Sequence, residues 1–301
     1  MKLKKRFLLL AVSLLCLALF QSAVVAAHPA QDIMQLYAGD IKDQKTIEPY
    51  IVSILALNEV ENGRNLPQVK QFIQWYFSKL NYPDLQGLRG TIYVYTMEEN
   101  LERSTRKYDS VDGYAGMFLH LLRQYAVKTG DVGLLRDNWT KIEDIAALIP
   151  ALQDNDGLTW ATPKYRVKYL MDNCESYGGI TAYLDLRDMV GMGGSLKFHA
   201  TLIMIRQGIL AELYDTKNTM FFWAKVEDGG KSQSSWNQFY PDALAQIFPV
   251  YYGLLADMIP LRNQLWGEFV RHYGATVSGL PVEQRILYEL AKKKMERTGR
   301  Q

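Results

Sequence analysis

The chain has 301 residues, 48% apolar and 22% charged, which is globular composition and length enough for one large domain or two small ones. Its 34 basic and 32 acidic residues nearly cancel, so no electrostatic footprint for nucleic acid is present. Nineteen tyrosines and six tryptophans offer flat apolar faces that suit sugars and suit a large core equally well.

The first residues, "MKLKKR", are basic, and "FLLLAVSLLCLALF" is an apolar run too short to span a membrane comfortably. "SAVVAA" then sets Val25 and Ala27 at the −3 and −1 positions before His28. This predicts a secretory signal peptide over 1–27, cut after Ala27, and a single domain over 28–301 that is exported to the periplasm or the exterior. Leu15 before Cys16 is not the small residue a lipoprotein signal wants. Without the leader, 30 basic residues face 32 acidic ones, and Cys174 alone remains, so no internal disulfide is expected. No later apolar run reaches membrane-spanning length, which predicts no membrane association after cleavage.

Helical periodicity dominates the rest of the chain. "IEPYIVSILALNEVE" reads as a strongly apolar helix, "NGRNLP" as a turn, and "PQVKQFIQWYFSKL" as an amphipathic helix with Val69, Phe72, Ile73 and Tyr76 on one stripe. "TIYVYTM" alternates, as a short strand does. "YDSVDGYAGMFLHLLRQYAVKTGD" predicts a helix apolar nearly all round, hence buried on more than one side, stopped by Gly130 with Asp131 as the next cap. Leu135, Trp139, Ile142, Ala146 and Ile149 then form a single stripe.

The inner-then-outer pattern recurs in "YLMDNCESYGGITAYLDLRDMV" with "SLKFHATLIMIRQGILAEL", and in "FYPDALAQIFPVYYGLLADM" with "PLRNQLWGEFVRHYG". Glu48, Asp112, Glu175 and Asp242, near the starts of the apolar helices, stand 64, 63 and 67 positions apart. Helix pairs that cannot bury both faces alone pack side by side. Inner helices running the same way gather their N-terminal ends at one mouth. There are four such pairs and a final helix at "PVEQRILYELAKKKMER"; six of this length would overrun the chain, so the ring is expected to be compact late or incomplete.

"YDSVDGYAGMFLHLLRQYAVKTGD", "DNDGLTW" and "FYPDALAQIFPVYYG" resemble the six-hairpin glycosidases, over most of residues 46–275. The resemblance implies an all-α fold, an (α/α) toroid of helical hairpins with short extended segments in the return loops. It implies an active site at the mouth that receives the inner-helix starts, and work on a poly- or oligosaccharide: hydrolysis by paired acids in many members, elimination in related lyases. A toroid that binds glycans or partners without chemistry is a third reading.

Hydrolysis needs two carboxyl groups across the scissile bond, one of them with a raised pKa. Glu175 is the expected general acid and Asp112 the base; Asp109 and Asp242 are further catalytic candidates. Ordinary helix capping explains the same acids. Asp172, Asn173 and Tyr177 around Glu175, with Tyr108, Trp160, Trp236 and Tyr240, are candidate substrate contacts, or loop anchors. Asp154, Asn155 and Asp156 suit calcium, yet "DNDGL" is first a turn. His28, His120, His199 and His272 lack paired spacing, so no metal is expected. No phosphate-binding or dinucleotide glycine motif appears, and no cofactor is expected.

Overall fold

A computed structural model describes residues 28–298. The expected leader and its cleavage point lie outside the described residues. In chain order the helices are α1 (Pro29–Gln35), α2 (Pro49–Glu61), α3 (Leu66–Ser78), α4 (Asp112–Thr129), α5 (Val132–Asp137), α6 (Trp139–Leu152), α7 (Leu170–Met189), α8 (Leu196–Gly208), α9 (Leu244–Tyr251), α10 (Ile259–Tyr273) and α11 (Val282–Thr298). None of them is long and apolar enough to cross a membrane.

The apolar and amphipathic helices sort into two layers, as their patterns require. Inner α2 packs on α4, α4 on α7, α7 on α9, and α9 on α11. α11 returns onto α2, so among the described residues five inner helices close the ring. α3, α6, α8 and α10 lie outside their partners, and α1 packs on α2 and α3. The fold is therefore the expected all-α toroid, closed with five inner helices and with no sixth among the described residues.

Local signals hold where the chain turns. Gly130 adopts the left-handed φ of 72° that ends α4, and the Asp131 carboxylate accepts the Leu134 N–H to cap α5. The stripe from Leu135 to Ile149 is broken at Asn138, which separates α5 from α6. "TIYVYTM" supplies β2 (Tyr95–Glu98), which pairs with β1 (Thr46–Ile47) and, through left-handed Glu99 and Asn100, with β3 (Leu101–Ser104). A second small antiparallel sheet joins β4 (Val167–Tyr169), β7 (Ala224–Val226) and β8 (Lys231–Ser232), and β5 (Tyr214–Asp215) pairs with β6 (Met220–Phe221).

The tightest crossing sets the depth of the mouth. A Cβ on Gly116 of α4 would overlap the Glu175 carbonyl oxygen of α7, and one on Gly179 would meet the Gly116 backbone. Only glycine lets the two backbones touch here. The crossing draws the first turns of α4 and α7, with their acids, into contact.

Candidate active site

The starts of all five inner helices line one cavity of about 150 Å3. α2 contributes Tyr50 and Ile51, the entry to α4 contributes Asp109, Ser110 and Tyr114, and α7 contributes Met171 and Asp172. Tyr240 and Leu244 come from the α9 entry, and Glu283 and Gln284 from α11. Three carboxylates and three tyrosines face the space, and among the described residues no Lys, Arg or His lines it.

Beneath the cavity the acids are stacked tightly. A Cβ on Gly113 would lie 2.8 Å from Glu175 Oε2, 2.8 Å from Ser110 Oγ and 3.3 Å from Asp172 Cγ, so the two carboxyl groups meet over this bare backbone. Glu175 is buried, and its Oε1 accepts the Tyr50 hydroxyl at 2.6 Å. Burial pushes the Glu175 pKa well above the usual range, against the lowering effect of the Tyr50 hydrogen bond. Asp172 is also pushed well up, by burial first and then by the Asp112, Glu175 and Asp109 carboxylates. For both, burial favours the protonated form. Asp172 Oδ2, Glu175 Oε2, Ser176 Oγ and the Tyr252 hydroxyl are enclosed without hydrogen-bond partners among the described residues. Asp172, Glu175 and Ser176 lie in the first two turns of α7, and unpartnered polar groups there are candidates for ligand contact.

Several of the expected site residues lie off the cavity. Asp112 sits at the expected helix start but turns away from the cavity. It is fully buried; its Oδ2 accepts the Thr159 hydroxyl at 2.6 Å and its Oδ1 the Gly113 N–H at 2.9 Å. Burial pushes its pKa up to about 7, although both hydrogen bonds pull the other way. Both oxygens are engaged, and the side chain is not part of the cavity lining. Asn173 belongs to the same knot, accepting the Thr159 N–H at 2.7 Å and donating to the Tyr169 carbonyl at 2.9 Å. Asp242 accepts the Ser235 N–H at 2.9 Å and ties its own loop, outside the cavity lining.

The aromatic expectations divide in the same way. Tyr240 lines the cavity, and Tyr108 lines an adjoining cleft with its hydroxyl donated to Asp84 at 2.8 Å. Tyr177 lies off the cavity, where Arg206 and Asp257 act on it. Trp236 stacks on His272, and Trp160 covers the Lys168 ammonium at 3.9 Å. That buried ammonium stands 2.6 Å from Asp154 and 2.7 Å from Asp156, so the "DNDGL" turn holds an internal cation.

Tyr50, Tyr114, Ser110, Glu283 and Gln284 escaped the sequence reading. The signal was available for Glu283: it opens the last inner helix, as Glu48 precedes the first. Glu48 stands at the rim, its pKa raised by partial desolvation and by the Asp109 and Glu283 carboxylates.

No protein-family model matches the sequence, and no curated protein matches it. Solved structures share its fold. A mannosylglycerate hydrolase of family GH63 from Thermus thermophilus, solved with glucose, aligns with TM-score 0.63 and 10% identity, over 90% of this chain and 86% of that one. A GH76 α-mannanase from Bacteroides thetaiotaomicron gives TM-score 0.58 and 11% identity over 91% and 79%. A cellobiose 2-epimerase from Spirochaeta thermophila gives 0.55 and 11% over 85% and 71%. The chain spans about half, 47%, of a rhamnosidase from Klebsiella oxytoca that it also matches. The chain thus has the fold of the six-hairpin glycosidase-like toroids.

Proposed function

We propose that this protein is a glycan-active enzyme, a glycoside hydrolase working at the five-helix mouth. The observation that carries the reading is Asp172: a carboxyl with one enclosed, unpartnered oxygen and a pKa pushed up by burial, lining a tyrosine-walled cavity that also holds the Glu283 carboxylate. A carboxylic acid kept neutral at neutral pH is what a leaving glycosidic oxygen requires. Asp172 is the proton donor. Glu283 comes from α11, which is not a ring neighbour of α7, so its carboxylate reaches the cavity from another side. That position suits the base that activates water or attacks the anomeric carbon. Burial raises the Asp172 pKa first, and the Asp112, Glu175 and Asp109 carboxyl groups add to it. Tyr50, Tyr114 and Tyr240 offer ring faces and hydroxyls to the sugar.

The fold shared with the hydrolases above supports a carbohydrate substrate, and the mouth supports paired-acid chemistry. Turnover of an oligosaccharide panel in 18O-water tests it. Hydrolysis incorporates one label per cleavage. Asp172→Asn and Glu283→Gln are expected to cut turnover by at least about a thousandfold with the helical circular dichroism intact. Unchanged turnover in both variants would overturn the assignment, and an ultraviolet-absorbing unsaturated product would replace hydrolysis by elimination. Export rests on the leader alone; N-terminal sequencing of the mature protein should begin at His28.

A further inference from the structure

Beside the acidic mouth lies a second, open cleft of about 470 Å3, and Asp109 lines both. Its chemistry is opposite. Arg106, Lys107 and Lys164 line it, and among the described residues none of the three makes an ion pair. Neighbouring cations outside the cleft are matched, Arg166 with Glu227 at 3.0 Å and Arg103 with Glu98 at 2.8 Å, whereas these three converge on one concavity. Three unmatched cations around one concavity make a local positive field in a chain of near-zero net charge.

The wall behind them is aromatic. Tyr93 and Tyr108 stack with centroids 5.5 Å apart. The Tyr93 hydroxyl accepts the Leu85 N–H at 2.8 Å, and Tyr108 donates to Asp84 at 2.8 Å. Gln86 lines the same cleft with its carboxamide oxygen enclosed and, among the described residues, without a hydrogen-bond partner. Arg106 itself holds a left-handed φ of 57°, a conformation that costs a non-glycine residue energy and is kept where surroundings impose it.

We infer that the cleft is a subsite for an anionic sugar, so that the substrate is an acidic oligosaccharide carrying uronic acid carboxylates. This rests on the reading of the mouth as a glycan site. One residue of the chain sits over Asp172, and the next passes Asp109 into the cleft. There its carboxylate meets Arg106, Lys107 and Lys164, and its apolar face meets the tyrosine wall. Guanidinium and ammonium groups bind carboxylates by charge-assisted hydrogen bonds that neutral sugars cannot make. The cations are exposed, so the attraction is screened within about 10 Å at 0.1 M salt.

The test is binding by isothermal calorimetry to short oligomers of galacturonic, glucuronic and mannuronic acid, each compared with its carboxyl-reduced neutral twin. At least one acidic oligomer should bind the wild type at least tenfold more tightly than its twin, and more weakly as salt rises. The triple variant Arg106→Ala, Lys107→Ala, Lys164→Ala should lose that tenfold. A twin that binds as well as its acid, or a triple variant that binds as the wild type does, overturns the inference. So does a wild type that binds no acidic oligomer but turns over neutral glycans, which leaves the hydrolase reading standing. Absence of binding and of turnover for every glycan sinks both.

Discussion

The Tyr50 hydroxyl and the Glu175 carboxylate, 125 positions apart in sequence, share a 2.6 Å hydrogen bond across the interior of the helical ring. It links the first inner helix to the third directly under the cavity. Glu175 Oε2 has no partner among the described residues, so Tyr50 is the side chain that satisfies this carboxyl group.

Tyr50→Phe removes that donor and leaves a buried acid with both oxygens unsatisfied. The hydrogen bond lowers the Glu175 pKa, so its loss raises it further. The expected result is an upward shift of the Glu175 resonance midpoint in a 13C carboxyl titration. A stability loss of about 1–3 kcal/mol should accompany it. An unmoved midpoint would show that the bond does not govern the Glu175 proton.

Asp112 makes stability depend on pH with a defined sign. Its folded pKa of about 7 lies above the ordinary aspartate value of 3.8, so the folded state binds the extra proton. Its contribution is fully present below about pH 4 and is lost as pH rises to about 7. In Asp112→Asn the amide oxygen can still accept the Gly113 N–H, and the Thr159 hydroxyl can donate instead to Asn173 Oδ1, 3.2 Å away. The variant should therefore melt higher than wild type at pH 8 and show little gain at pH 4. Equal differences at both pH values would contradict the shift.

His120 works in the other direction. Burial pushes its pKa down to about 3, with Arg123 and Lys294 adding repulsion, while Tyr251 holds the neutral ring at 2.9 Å. The unfolded chain takes up this proton near pH 6.5 and the folded chain does not. Stability falls from about pH 6.5 to about pH 3, by about 1.4 kcal/mol per unit for this one proton. His120→Leu should show an acid limb of urea-measured stability shallower by one proton. A limb of unchanged slope would mean the ring is protonated in place.

Gly116→Ala tests the helix crossing. The added methyl overlaps the Glu175 backbone, so α4 and α7 must part or bend, at a cost of about 1–3 kcal/mol or more. Because the same crossing seats Glu175 and Asp172, turnover should fall by more than the lost stability accounts for. Gly267→Ala, on α10 with nothing near its Cβ, is the control: it should leave turnover unchanged and raise stability by about 0.5–1 kcal/mol.

Much of this architecture is legible along the chain. Burial on several sides gives α2 and α4 their broad apolar surfaces, and one-sided burial gives α3 its stripe, because periodicity is a local record of how many neighbours a helix has. The glycine and proline stops, the strand at "TIYVYTM" and the recurrence of acids at inner-helix starts come from equally local rules. Convergence of those starts comes from alternation of direction in a ring.

Which acid faces the hollow is a different kind of fact. Each residue turns a helix by about 100°, so the aim of a first-turn side chain depends on rotation of the whole helix. A helix buried on every side carries no polar face to report that rotation. Tertiary contact alone turned Asp112 onto Thr159, Asp242 onto the Ser235 N–H, and Asp172 toward the cavity. Packing of α11 against α2 likewise closed the ring at five inner helices and brought Glu283 to the mouth, since the fit of distant surfaces has no signature in any single stretch of chain.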